Sequence, residues 1–173
     1  MTQVDVTHIP EEGLRISLAE DVEELDLTAP GTHFRERISG ELHLAKAGEA
    51  ICATGRLTVP VTFECMRCLR PFPATLDIPV AAQFFPGPPP AAPGEHQMPE
   101  DEAEDYYYAD NVVVLDDLVR QEVFLAIPFS PLCRPDCRGL CGQCGQDLNV
   151  ETCACTPPPD PRLAGLREYL RKK

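Results

Sequence analysis

Between Phe34 and Phe85 apolar residues recur at every second position. Ile38, Leu42 and Leu44 fall on even numbers, and Leu57, Val59, Val61 and Phe63 on odd ones, between Thr58, Thr62 and Glu64. Leu76, Ile78, Val80, Ala82 and Phe84 alternate again. A period of two over three successive runs predicts antiparallel strands with one buried face. Ala47-Gly48 and Arg70-Pro71 interrupt the runs and predict the turns between them. Pro60 and Pro79 sit at outward positions. Proline has no N–H to donate, so each predicts an edge or a gap in the ladder. 'YYYADNVVV', Tyr106 to Val114, predicts a short hairpin turning at Asp110-Asn111. Tyrosine suits a strand on propensity alone, although three in a row also offer a surface on which bases can stack.

The period then changes. In 'LDDLVRQEVFLAIP' the residues Leu115, Leu118, Val119, Val123, Ala126 and Ile127 share a face at helical spacing. Asp116 or Asp117 is expected to cap its start, and Pro128 and Pro131 to stop it. The apolar stripe is expected to pack on the sheet. A second helix is predicted at the end of the chain. There Asp160 precedes Pro161, and Leu163, Leu166 and Leu170 form a narrow apolar face with a basic last turn. Between these elements lies 'PGPPPAAPGEHQMPEDEAED', Pro86 to Asp105, which has no period and predicts a flexible acidic loop.

Composition narrows the classes. At 173 residues the chain is long enough for one domain with a real core. It has no basic, apolar leader and no long apolar run, so a cytoplasmic, reducing location is expected and no membrane partner. The net charge of −13 argues against gripping nucleic acid with the whole surface. Acidic residues crowd at Glu11–Asp26 and Glu95–Asp117, which read as solvated faces and mobile loops. No Ser/His/Asp set, catalytic carboxylate pair or Gly-rich phosphate loop is visible, so no enzyme activity and no small-molecule substrate are expected.

The chemistry lies in the thiols. Nine cysteines are present. Cys65-x2-Cys68 follows the phase of Leu57 to Phe63 and caps a hairpin tip. Downstream come Cys133-x3-Cys137, Cys141-x2-Cys144 and Cys153-x1-Cys155. Such short spacings let two sulfurs face one ion while the chain folds around it. Gly142 and Gly145 flank Cys144 and permit a tight turn with amides aimed at sulfur, and Asp147 to Asn149 read as a turn. The four histidines are scattered, so any site is all-sulfur. That suits Zn²⁺, or less often iron, in a closed structural role. Disulfide staples fit a reducing compartment poorly. A redox dithiol at Cys65/Cys68 lacks the strand-to-helix setting that activates a thiol. Eight ligands fill two sites if Cys141, Cys144, Cys153 and Cys155 share one ion and Cys65, Cys68, Cys133 and Cys137 another. A single site with spare thiols is the alternative, and spacing does not choose between them. Cys52 stands alone and reads as a core residue.

Four segments occur in register: 'CMRCLRPF' after an alternating strand, 'DDLVRQEVFLAIP', 'PLCRPDCRGLCGQCGQDLN' with 'CAC', and 'DPRLAGLREYL'. From about Gly40 onward this order resembles the YceD family of large ribosomal RNA subunit accumulation proteins. The resemblance implies a non-enzymatic factor in large-subunit ribosomal RNA processing and large ribosomal subunit assembly. With the segregation of charge along the chain, the expected partners in precursor particles are that RNA or, through the acidic loop, basic ribosomal proteins. Arg67, Arg70, Arg134, Arg138 and the basic C-terminal end are the candidate RNA contacts. A thiol-based redox or metal-responsive regulator is the rival class. The expected architecture is α+β. An antiparallel sheet able to curl into a barrel, with a packed helix, occupies residues 1–131, with its loop at 86–105. A cysteine-rich zinc module and terminal helix follow at 132–173.

Overall fold

The computed structural model describes residues 2–34, 37–88, 105–156 and 162. The predicted C-terminal helix and most of the predicted acidic loop lie outside these residues. Among them the elements run in order β1 (Gln3–Asp5), β2 (Leu14–Glu20), β3 (Thr32–Phe34), β4 (Ile38–Ala47), β5 (Ala50–Glu64), β6 (Pro71–Pro86), β7 (Asp105–Tyr108), β8 (Val112–Val114) and α1 (Asp116–Ala126).

The alternation of apolar residues builds the main sheet. β2, β4, β5, β6 and β7 are hydrogen-bonded in that order, and β3 joins the far end of β5. β5 and β6 form one long antiparallel hairpin, registered from Ile51 against Phe84 to Glu64 against Pro71. Its inward residues Leu57, Val59, Val61, Phe63, Ile78, Val80, Ala82 and Phe84 are buried, together with Ile38, Leu42 and Leu44 of β4. Burying a side chain of this kind contributes about 1.5–3 kcal/mol, so this one face dominates the stability of the sheet. The core continues onto α1 through Leu115, Leu118, Val119 and Val123, and α1 packs against β6.

Both prolines fall where a ladder can spare a donor. On one side of β5, β4 pairs as far as Thr58 and β3 begins at Val61, so Pro60 sits in the gap between them. On β6, Pro79 lies where only β5 is a partner, because β7 meets only Gln83–Pro86.

Five expectations need correction, the last being the place of Cys52 in the core. The sheet does not close into a barrel: the order is open, with β2 at one end and β7 at the other. Closure requires a partner on both sides of every strand. The short β7 pairs in parallel with the end of β6 and stops there. The predicted Tyr-Val hairpin keeps its turn but not its ladder. Asp110 and Asn111 take positive φ of 53° and 58°, as a type I′ turn demands, and Ala109 bridges Val112. Beyond that bridge the arms separate, because β8 pairs with β1 instead. The helix is capped by Leu115 without a side-chain bond, and the Asp116 carboxylate accepts the Thr2 N–H at 2.8 Å. The acidic stretch Glu11–Asp26 is not only solvated loop. It contains β2, where Leu18 and Glu20 are buried.

Cys52 is half-buried on β5, between the buried Ile51 and Ala53, so it lies off the core face. Tyr106 and Tyr107 pack on Phe84 and Phe85, with ring centroids 5.2 and 6.3 Å apart, which uses them in the sheet.

Gly55 leaves no room for a side chain between β5 and β4. A Cβ there would overlap the Glu41 carbonyl oxygen and lie 2.9 Å from Leu42 Cα, both backbone atoms. Gly55→Ala is therefore expected to cost about 1–3 kcal/mol. The measurement is the urea midpoint at unchanged slope. An unaltered midpoint would mean that β4 and β5 can separate freely at this point.

Candidate metal centres at the hairpin tip

Each C-x2-C segment folds into the same turn. In the first, the Leu69 N–H donates to the Cys65 carbonyl at 2.9 Å and the Cys65 N–H to the Arg70 carbonyl at 3.0 Å. In the second, the Gly145 N–H donates to the Cys141 carbonyl at 2.9 Å and the Cys141 N–H to the Gln146 carbonyl at 2.8 Å. The residue after the second cysteine is left-handed in both, with φ of 57° at Leu69 and 72° at Gly145. Glycine accepts that conformation readily. Leucine holds it only because the surrounding bonds over-determine the turn.

The structure brings the eight paired thiols into two groups. The sulfurs of Cys65, Cys68, Cys133 and Cys137 lie within 4.8 Å of one another, and so do those of Cys141, Cys144, Cys153 and Cys155. The grouping is that of the two-set division, with none of the eight thiols left over. In the first group Cys65 and Cys137 are 3.8 Å apart, as are Cys68 and Cys133. A disulfide needs about 2.05 Å. A tetrahedron with metal–sulfur bonds of about 2.3 Å has edges of about 3.8 Å, so the donors fit a four-sulfur ion site. Cys52 belongs to neither group, and neither contains histidine.

Electrostatics point the same way. Burial pushes the Cys65 thiol up, but the N–H groups of Cys133, Cys68 and Arg67 outweigh it and bring it down to about 6. The N–H groups of Cys144 and Gln143, with neighbouring thiols, bring Cys141 down to about 6. The same two positions of each turn thus aim amides at the leading sulfur. Crowding works against Cys133 and Cys155. Burial and the other three thiols push Cys133 up to about 12, and the Cys144 thiol, with burial, pushes Cys155 up to about 12. Four thiolates cannot coexist at this spacing without a cation between them.

Around the sulfurs the chain is tied by Asp147 and Asn149, expected only as a turn, and by Arg67, Arg70 and Arg134, expected as RNA contacts. Asn149 Nδ2 approaches Cys137 Sγ at 3.5 Å, and Asn149 Oδ1 accepts bonds from Arg134 Nη2 and the Arg138 N–H, both at 2.8 Å. Asp147 accepts the Asn149 N–H at 2.9 Å and Arg70 Nη2 at 2.7 Å, which joins the second segment to the first turn. These N–H groups and Arg70 hold the Asp147 carboxyl below the usual carboxylate range. Arg67 Nη1 donates to the Cys137 carbonyl at 2.8 Å, and the Leu140 N–H to the Arg67 carbonyl at 3.0 Å. The only sign of this in the sequence was the Asp-x-Asn spacing of an Asx turn.

The two groups differ in exposure. Cys65, Cys68 and Cys137 are buried, in a small core with Phe72, Leu132 and Leu140. Cys144 and Cys155 are exposed.

The profile of a family described as "Large ribosomal RNA subunit accumulation protein YceD" matches residues 53–169. The chain belongs to the YceD family. The matched stretch begins within β5 and takes in α1 and both thiol groups, while β1 to β4 precede it. An uncharacterized protein of Mycobacterium tuberculosis is 35% identical over 130 residues, which cover 75% of this chain and 60% of that protein. One from Mycobacterium leprae is 29% identical over 133 residues, covering 77% and 59%. The chain thus spans about 60% of the length of these mycobacterial relatives. A maize protein named "Large ribosomal RNA subunit accumulation protein YCED homolog 1, chloroplastic" is 31% identical over 68 residues, covering 39% of this chain and 23% of that protein. No solved structure matches the chain. Among the described residues no helix is long and apolar enough to cross a membrane.

Protein purified with reductant and zinc is expected to carry two ions per chain by elemental analysis. Cys68→Ser should remove one and Cys144→Ser the other, and a chelator should strip the exposed group first. Less than one ion per chain, with all thiols reactive, would rule out both sites. Asn149→Ala is expected to weaken the first site about 10–100-fold in competition with a chromogenic chelator, because it removes the bond to Cys137. Unchanged affinity would make Asn149 a turn residue only.

Proposed function

We propose that this chain is a non-enzymatic factor that supports accumulation of large-subunit ribosomal RNA and assembly of the large ribosomal subunit by binding in precursor particles. Cys65, Cys68, Cys133 and Cys137 hold one structural zinc ion, and Cys141, Cys144, Cys153 and Cys155 a second. One observation carries the reading. Within the family-matched stretch every cysteine belongs to a complete set of four sulfurs. A tetrahedral ion with four protein ligands has no position left for substrate, so it shapes a surface rather than performs a reaction. Zinc suits the all-sulfur donors and adds no redox chemistry of its own. Membership of the family and the name of the maize relative support the ribosomal RNA process.

The exposure of Cys144 and Cys155 supports a second reading, a thiol-responsive regulator whose outer ion leaves on oxidation. In the primary reading, tagged chain sediments with large-subunit precursors on a gradient. Its depletion lowers large-subunit relative to small-subunit ribosomal RNA. Sedimentation only with free protein, together with an unchanged RNA ratio, would sink it. Loss from the precursor fractions after mild peroxide, with zinc release, would favour the second.

A further inference from the structure

Large apolar side chains stand exposed beside the first thiol group. Met66 is 61% exposed, Leu125 73% and Phe129 102%. Met66, Phe129, Phe124 and Ile127 line one groove of about 640 Å³, and Leu125 extends its apolar rim beyond Phe124. An apolar surface of this kind marks a binding site more often than chance.

The groove is held in shape before anything binds. Met66 projects from the first C-x2-C turn, and its N–H donates to the Pro131 carbonyl at 3.0 Å. Pro128 and Pro131 bracket Phe129 and restrict the backbone that presents it. Little ordering is left to oppose binding.

Charge selects the occupant. Glu64 is the one charged residue lining the groove among the described residues, and no lysine or arginine does. A nucleic-acid backbone needs cations opposite its phosphates. The arginines around it are engaged elsewhere: Arg67 on the Cys137 carbonyl, Arg70 on Asp147, Arg134 on Asn149, and Arg120, which borders the rim at Leu125, on Asp117. The chain as a whole carries −13, which draws in cationic partners and repels a second copy. We propose that the groove between the Cys65–Cys68 turn and the end of α1 docks a basic protein segment anchored by apolar side chains. This rests on the binding role proposed above and narrows the partner from RNA or protein to protein.

The test uses the full chain loaded with zinc and a fluorescein-labelled short peptide that alternates Leu or Phe with Lys or Arg. Fluorescence anisotropy should report saturable binding. Phe129→Ser and Met66→Ser, both at exposed positions, should each weaken it about tenfold or more. Glu64→Lys should weaken it as well. Three results would overturn the proposal. A single-stranded RNA of similar length could bind with the same dependence on Phe129. A control peptide with serine at the apolar positions could bind equally well, which is general attraction to an acidic protein. Phe129→Ser could lower the mass of the free chain in sedimentation equilibrium, which would assign the groove to a second copy.

The gradient separates this idea from the functional reading. Peptide binding by a chain that never sediments with precursors would sink the ribosomal reading and leave the docking site standing. Sedimentation with precursors that Phe129→Ser does not alter, in a chain that also ignores the peptide, would do the reverse.

Discussion

The convergence of Cys65 and Cys68 with Cys133 and Cys137 is the constraint on which the sulfur-bearing end depends. It joins points some seventy residues apart: the Cys65–Cys137 contact spans 72 positions and the Cys68–Cys133 contact 65. Closing loops of that length carries an entropic cost, which an ion held by the four sulfurs would return as coordination energy. The hydrophobic core does not do this work here. The main apolar cluster runs through the sheet and α1, while the sulfurs form a separate small cluster with Phe72, Leu132 and Leu140. Without the sulfurs, backbone bonds such as Met66 to Pro131 and Leu140 to Arg67, with Arg67 on the Cys137 carbonyl and Arg70 on Asp147, would link the hairpin tip to the segment after the helix.

The second group builds on the first. Its turn begins at Cys141, one residue after Leu140, which is already bonded to Arg67. Asp147 then reaches back to Arg70, and Asn149 to the sulfur of Cys137. The guanidinium groups of Arg67, Arg70 and Arg134 serve as internal ties. A cluster of positive charge in a sequence therefore need not be a surface waiting for phosphate.

Much of the sheet was legible because β4, β5 and β6 obey strict alternation and end at glycine and proline. The partner of each cysteine was not, because spacing fixes which thiols are close along the chain but not which distant pair meets. The repeated turn offers a clue in hindsight, since Leu69 stands where Gly145 stands. β2 was legible in principle from Leu14, Ile16 and Leu18, but the surrounding carboxylates masked the alternation. The open edge of the sheet had no local signature at all. It follows from β8 choosing β1 over β7, a competition between distant partners that propensity does not register. The helix start misled for a related reason. Asp116 had the chemistry of a cap, but the Thr2 backbone occupies it.

The length of the β5–β6 hairpin has a practical side. At about 3.3 Å per residue, β5 has a contour of about 50 Å. The turn at Gly48 is therefore far along the chain path from the sulfurs, and the neighbouring Glu49 is exposed and free of the left-handed φ that would strain a substitution at Gly48 itself. That loop is a natural handle: a dye or surface tether attached there leaves the opposite end of the hairpin open to the solution.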